Sequence, residues 1–325
     1  MDPARQYHNT SSCGAALRKA ELLICGSSAA LPTKTNSTTS QVLSVQGTPY
    51  LIDAGESVQE RLRECGVRFQ RIPAVFISHL HGDHVLGLPG LIGTMNLLGR
   101  TKKLDIYGPK ELRTFLDVIH KCTGTFLKFP IEVHELKIPK GTREMVYQDN
   151  LLEVSAFQVK HRIETYGYRF DARPEKRKLL KDAIAEHNLS VVQIKQLIAG
   201  KQVMTEAGLQ LKPEDCCKPE VRPWSYVFAA DTRPCNAVAH AAEGASLLYH
   251  EATFLESERD LALKTYHSTA AEAGSIAAQA GVNRLLLGHL STRYASPQML
   301  VEEAATTFSG DIQVASRGNL FALQA

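Results

Sequence analysis

Long apolar runs are missing from this chain of 325 residues. No stretch approaches the roughly 18 consecutive apolar residues of a membrane-spanning helix. The first 20 residues also lack the apolar centre of a secretory signal. They carry Arg5, Arg18 and Lys19 among several Ser and Thr, and read as a disordered N-terminal extension. No C-x-x-C pair occurs. The seven cysteines are scattered and odd in number, and the adjacent Cys216 and Cys217 suit neither an ordinary disulfide nor a zinc knuckle. That usage fits a reducing, cytoplasmic setting. A dominant charge is absent too: 37 basic residues against 34 acidic ones leave +3, which neither demands nor excludes an RNA partner. No period of about 20–50 residues recurs, so a solenoid is excluded.

What is present is a core-building composition, 44% hydrophobic, in a length that suits one large domain or two modest ones. Short β-type runs at 21–26, 41–46, 49–53, 74–78, 131–136, 151–159 and 165–170 are interrupted by helical segments at 57–64, 85–98 and 109–120, the last with proline in its first turn. From 171 to 222 β signals fade. Helices are expected at 174–187 and at 190–199, where Ser190 and Gln193 are spaced as a capping box, and the whole stretch reads as an insertion. Strands at 225–230, 246–249 and 284–287 then alternate with helices at 234–242, 257–263, 269–280 and 297–308. A strand-rich half followed by an alternating half predicts a layered α/β fold, two sheets between outer helices.

The chemistry concentrates in Ser-His79-Leu-His81-Gly-Asp83-His84, directly after a buried-looking strand. His79 and His81, two apart on an extended strand end, point the same way. A turn at Gly82 sends Asp83 and His84 toward a second point, so one loop can serve two metals. Imidazole with carboxylate suits zinc or manganese. The bland alternative is a polar surface loop that happens to hold three of the twelve histidines. Four donors within six residues argue against it.

The pattern His79-x-His81-x-Asp83-His84 resembles the HxHxDH signature of the metallo-β-lactamase superfamily. The wider text, "FISHLHGDHVLGLPGL", is similar to that of the ribonuclease Z family within it. Further resemblances follow in order: "IDAGESVQERL", "GVRFQRI", His161 after a strand, Asp231 in "ADTRP", His250 and Glu251 in "HEATF", His267 in "HST" and His289 in "GHLSTRY". The resemblance spans about residues 21–323 apart from the insertion. It implies a four-layer αβ/βα metallo-β-lactamase fold with an inserted arm, and an endonuclease that trims the 3′ trailer of precursor tRNA. It assigns His79, His81 and His161 to one zinc ion, Asp83, His84 and His289 to a second, and Asp231 to both. Zinc lowers the pKa of a shared water toward about 7, making it a nucleophile at neutral pH, and paired ions grip the phosphate. Asp83 can take that water's proton. His267 stands just before a capping box, Thr269 and Glu272, and is the candidate donor to the leaving ribose oxygen, with Glu251 holding its other ring nitrogen. In isolation His161, between Lys160 and Arg162, would read as a surface histidine. The same caution applies to His267 as a helix-entry residue and to Glu251 as a surface acid. Arg233, Arg293 and Tyr294 resemble positions near the metal pocket, where phosphate contact or support of the ligands is expected.

In this family the insertion forms an arm that grips the tRNA body, and dimers are common, one subunit's arm serving the other's site. Residues 173–201 carry seven basic side chains, Lys176, Arg177, Lys178 and Lys181 among them, against three acids. Such a face suits phosphate contacts that position RNA without reading its bases. A solvated lysine-rich helix is the plain alternative. Two departures stand out. The arm's Gly-Pro-rich stretch is replaced by "LSVVQIKQLIAGK", and the early PxKxRN loop is shortened to Pro32-Thr33-Lys34-Thr35-Asn36, without its arginine. Both leave the docking of tRNA and the cut position open. The rival readings are a small-molecule hydrolase on the same fold, acting on a phosphodiester, thioester or lactone, and a non-catalytic RNA-binding scaffold. The intact donor set speaks against the second.

Overall fold

A computed structural model describes residues 20–34, 36–173, 177–217 and 223–324. All but the last residue of the expected N-terminal extension lies outside them. The first half builds one sheet from β1 (Ala20–Gly26), β2 (Ser40–Val45), β3 (Thr48–Ile52), β4 (Ala74–Phe76), β5 (Leu104–Gly108) and β6 (Ile131–Glu135). Its helices are α1 (Val58–Glu64), α2 (Gly82–Val85), α3 (Gly87–Leu97) and α4 (Leu112–Thr123). The second sheet begins with β7 (Arg143–Gln148), β8 (Leu152–Gln158) and β9 (Tyr166–Ala172). The insertion holds α5 (Lys181–Glu186), α6 (Val191–Ile198), β10 (Val203–Met204), β11 (Gln210–Leu211) and α7 (Pro213–Cys216). The chain returns through β12 (Ser225–Ala229), α8 (Asn236–Ala241), β13 (Leu247–Glu251), α9 (Arg259–Thr265), α10 (Ala270–Ala280), β14 (Arg284–Gly288), α11 (Gln298–Ala304) and β15 (Asp311–Val314). β16 (Leu320–Leu323) closes the first sheet by pairing with β1.

Both sheets have seven strands, in the orders β16-β1-β2-β3-β4-β5-β6 and β15-β14-β13-β12-β9-β8-β7. β3 to β6 run parallel, as do β12 to β15, and the remaining pairs are antiparallel. Both faces of each sheet are covered, which is why β12 buries all five residues and does not alternate. Between the sheets lies an aromatic core of Tyr50, Phe76, Tyr168, Phe170, Tyr226, Phe228 and Tyr249. Outside the first sheet, Leu88, Leu91, Ile92 and Met95 of α3 pack with Val58 and Leu62 of α1. Outside the second, the small residues of α8 and α10 let helices lie close on the strands. The result is the four-layer α/β architecture that the resemblance implies. Among the described residues no helix is long and apolar enough to cross a membrane.

The insertion has its own small core of Ala183, Leu189, Leu197, Val203, Leu211, Cys216 and Cys217. The Ser190/Gln193 and Thr269/Glu272 capping boxes both form. Several boundaries move. The helix expected over 85–98 breaks in two, because helical turns already start at Gly82 inside the histidine loop. Pro109 precedes its helix rather than opening it: Glu111 takes a left-handed φ of 72°, and α4 starts after it. Of the helix expected over 174–187, α5 takes only Lys181–Glu186, and residues 174–176 lie outside the described set. β5, β7, β10, β11, β15 and β16 were not expected. They are short, and β7 leaves Arg143, Glu144, Met145 and Gln148 exposed, as an edge strand does.

Candidate metal centre

Parallel strands deliver the site. β4, β12, β13 and β14 end on the same side of the two sheets, and their carboxyl ends lead directly to His79, Asp231, Glu251 and His289. His81 is the N-cap of α2, and Asp83 and His84 lie in its first turn. The redirection assigned to a turn at Gly82 is therefore the start of a helix. This loop is sewn to the β3–α1 connection: Ala54 N donates to the His84 carbonyl at 2.8 Å and Gly87 N to the Ala54 carbonyl at 2.9 Å. Gly87 is required there, since a Cβ would stand 2.1 Å from the Gly55 carbonyl oxygen. The loop bearing His161 is tied to the one bearing Asp231 through Arg233 N and the Lys160 carbonyl, 2.9 Å.

The seven expected ligands converge. His79, His81, His161 and Asp231 form one group and Asp83, His84 and His289 an adjoining one, donor atoms within 4.8 Å of one another in each. Asp231 lies against four imidazoles: its carboxylate is 3.4 Å from His79 Nε2, 3.3 Å from His84 Nε2, 3.7 Å from His161 Nε2 and 3.1 Å from His289 Nε2. His81 presents Nδ1, 2.9 Å from His79 Nε2 and 3.3 Å from His161 Nε2.

These residues fit a cation by their hydrogen bonding. His84 Nδ1 donates to Asp53 Oδ2 at 2.7 Å, His161 Nδ1 to the Tyr266 carbonyl at 3.1 Å, and His79 Nδ1 faces Ser78 Oγ at 3.0 Å. Each ring thereby keeps a hydrogen outward on Nδ1 and turns Nε2 toward the centre. Buried His84 Nε2 and Asp231 Oδ1 have no hydrogen-bond partner among the described residues, an arrangement that costs free energy unless a ligand completes it. Electrostatics agree. Burial pulls His81 and His161 down to about 4, so both are neutral lone-pair donors at neutral pH. Burial would raise Asp83 and Asp231, but the surrounding imidazoles hold both well below the usual carboxylate range. Burial opposes charge on His84, yet Asp231 and Asp53 overrule it and keep that ring well above its ordinary value. The centre favours positive charge.

Beside it lies a second constellation. Glu251 is fully buried, and its Oε1 accepts from His267 Nδ1 at 2.8 Å and from Thr232 N at 2.7 Å. Burial would lower His267, but the Glu251 carboxylate outweighs it and holds the ring up at about 9. The ring lies at 5.2 Å and 20° over that of His289, with Nε2 left for a reacting group. His267 is also within reach of the centre, its donor atom grouping with those of Asp231 and His289.

Other expected residues are placed differently. Arg293 Nη1 is bound to Glu258 Oε1 at 2.7 Å and its guanidinium lies over the Phe254 ring, while Tyr294 donates to Glu258 Oε2 and accepts from Leu255 N at 2.8 Å. Both are committed to Glu258. His250 is fully buried, its Nδ1 donating to the Glu251 carbonyl at 2.7 Å, which makes it a strand-end brace. Arg233 is half-buried. In the insertion Lys178 and Lys181 are exposed, Arg177 is half-buried, and Lys176 lies outside the described residues. Asp53 was missed. It is fully buried at the end of β3, with φ 54°, and accepts from Ser78 N at 2.7 Å, Ser78 Oγ at 2.8 Å and His84 Nδ1. The sequence offered only an acid closing the strand read at 49–53, which names no partner.

Comparison with known proteins adds four findings. The family model for anti-Pycsar protein Apyc1 matches residues 20–171. A ribonuclease Z of Porphyromonas gingivalis is 38% identical over 296 residues, covering 91% of this chain and 96% of that protein. Among solved structures, the short form of human tRNase Z superposes with a TM-score of 0.69 at 24% identity, over 94% of this chain and all of that one. The metallo-β-lactamase fold protein YhfI of Bacillus subtilis follows with a TM-score of 0.66 at 19% identity, over 94% and 99%.

Proposed function

The chain belongs to the ribonuclease Z family, endoribonucleases that hydrolyse a phosphodiester, and on that premise we propose that it removes the 3′ trailer of precursor tRNA with a pair of zinc ions, leaving a 3′-hydroxyl. One observation carries this reading: two donor groups adjoin, Asp231 belongs to the first and lies within 3.3 Å of two imidazoles of the second, and a carboxylate-held histidine, His267, stands beside them. His79, His81, His161 and Asp231 would hold one divalent ion, and Asp83, His84 and His289, again with Asp231, the other. Bound there, such a pair supplies Lewis acidity toward a phosphate oxygen and acidifies a shared water to near neutral pH. Asp83 is held by Ala30 N, which donates to its Oδ2 at 2.9 Å, and its other oxygen is left to accept the attacking water's proton. His267 gives the Nε2 proton to the departing ribose oxygen while Glu251 fixes Nδ1. The new bond joins water oxygen to phosphorus, and the bond to the 3′-oxygen breaks.

The test is to incubate zinc-loaded protein with a precursor tRNA bearing a 3′ trailer and to map the product ends. Cleavage near the discriminator base with a 3′-hydroxyl, lost on chelation and restored by zinc, is expected. No cleavage by folded protein carrying two ions would transfer the assignment to a small-molecule hydrolase on this fold.

The insertion acts as the tRNA-gripping arm in this reading. It springs from antiparallel neighbours, Ala172 N donating to the Trp224 carbonyl at 3.0 Å, so a short turn can replace residues 174–222. We expect the shortened protein to fold and to turn over bis(p-nitrophenyl) phosphate at the parent rate, while its KM for precursor tRNA rises roughly 10- to 100-fold through lost phosphate contacts. Steady-state kinetics on both substrates decide. Equal losses on the two would make the insertion part of the scaffold.

A further inference from the structure

A single buried hydroxyl joins the two constellations. Thr253, just beyond β13, is 5% exposed. Its Oγ1 stands 2.6 Å from Glu251 Oε2, 3.0 Å from His289 Nδ1 and 3.0 Å from the His289 carbonyl oxygen. Glu251 is the collecting point: Oε1 takes His267 Nδ1 and Thr232 N, while Oε2 takes Ser268 N at 3.2 Å besides the Thr253 hydroxyl. A hydroxyl has one hydrogen to give. The carboxylate receives it, because a charge-assisted bond of 2.6 Å outcompetes a longer one to a neutral carbonyl. Toward the imidazole, Oγ1 can then only accept. The His289 hydrogen therefore sits on Nδ1, and the Nε2 lone pair faces Asp231 at 3.1 Å and Asp83 at 3.4 Å.

We propose that Thr253 is a positioning residue that fixes the tautomer and orientation of His289 and, by hanging that ring on the carboxylate that also holds His267, sets the spacing between the metal centre and the proton donor. The proposal rests on the reading of His289 as a ligand and His267 as the donor. The two rings stack 5.2 Å apart, one tied to Glu251 directly and the other through Thr253. Glu251 thus accepts on both oxygens, from the donor on one side and from the ligand's support on the other.

Thr253→Val keeps the branched shape and removes the hydroxyl, while Thr253→Ser keeps the hydroxyl. Metal-free forms of both and of the parent are titrated with zinc against a chromophoric chelator, followed by thermal melting and single-turnover cleavage of precursor tRNA. Thr253→Val is expected to weaken one of the two zinc sites roughly 10- to 100-fold, to leave the other unchanged, and to slow cleavage without altering tRNA affinity. Thr253→Ser is expected to restore both zinc binding and rate. Parent-like affinity at both sites in Thr253→Val, equal damage in Thr253→Ser, or loss of both sites with a collapsed melting transition each overturns the proposal. Should the parent bind two zinc ions yet leave precursor tRNA uncut, the tRNA reading falls and the zinc titrations still decide on Thr253.

Discussion

Asp231→Ala is expected to leave a folded protein that has lost its metals and cuts precursor tRNA on the order of 10^3- to 10^4-fold more slowly. Four imidazoles of the proposed donor set approach its carboxylate within 3.7 Å. A single truncation therefore removes a ligand from both proposed sites. The fold should survive. Asp231 lies just beyond β12, whose five buried residues make the core contacts of that strand. Losing Asp231 does take away the imidazole attraction that outweighs burial and holds this carboxyl low, so the metal-free variant gives up some stability. In chelator, the variant should still melt in one cooperative transition, somewhat below that of the parent, and elemental analysis should find it without bound zinc. A variant that keeps two ions and near-parent cleavage would sink the proposed bridging role.

The second large effect is on the leaving group. His267→Ala should retain both metals and lose roughly 10^2- to 10^4-fold in cleavage of precursor tRNA, the usual reach of general acid catalysis. The comparison that isolates the role is bis(p-nitrophenyl) phosphate, whose leaving group departs without a proton. There the same variant should lose far less. His267 also lies within reach of the centre, so its removal could act through the metals instead. In that case both substrates would suffer equally and zinc stoichiometry would fall.

The histidine loop was legible because four donors fall within six residues, and a strand end that runs straight into a helix start brings them to two adjoining places. Asp231 and His289 were legible as strand-end residues, but it was their order along the chain that raised them above structural alternatives. His161 shows what local text hides. Its neighbours Lys160 and Arg162 suggest solvent, yet its side chain is 1% exposed, because the bond from Arg233 N to Lys160 folds that loop over the centre. Asp53 and Thr253 could not be assigned in advance. Their work consists of hydrogen bonds to residues 31 and 36 positions away, and nothing in a short acid or hydroxyl announces such a partner. The same limit explains the missed strands. β16 is stabilised by β1, some three hundred residues earlier, and β7 by its place at a sheet edge. Helix ends with paired caps at 190 and 269 were read correctly because their signal is local.

The proposed donors come from both halves of the chain: His79, His81, Asp83 and His84 from the first sheet's side, His161, Asp231 and His289 from the second's. In polymer terms, an ion shared between positions 84 and 289 is a reversible cross-link that closes a loop of about two hundred residues. Were it covalent, closing a loop of that length would withdraw about 5 kcal/mol of chain entropy from the unfolded ensemble. A coordination bond achieves less, since the unfolded chain can shed the ion, but the dependence on length is the same. Metal supply would then set the resistance of the whole sandwich to heat and proteolysis along with its catalysis. Zinc-starved molecules would be culled as loosely closed chains before accumulating as inactive ones.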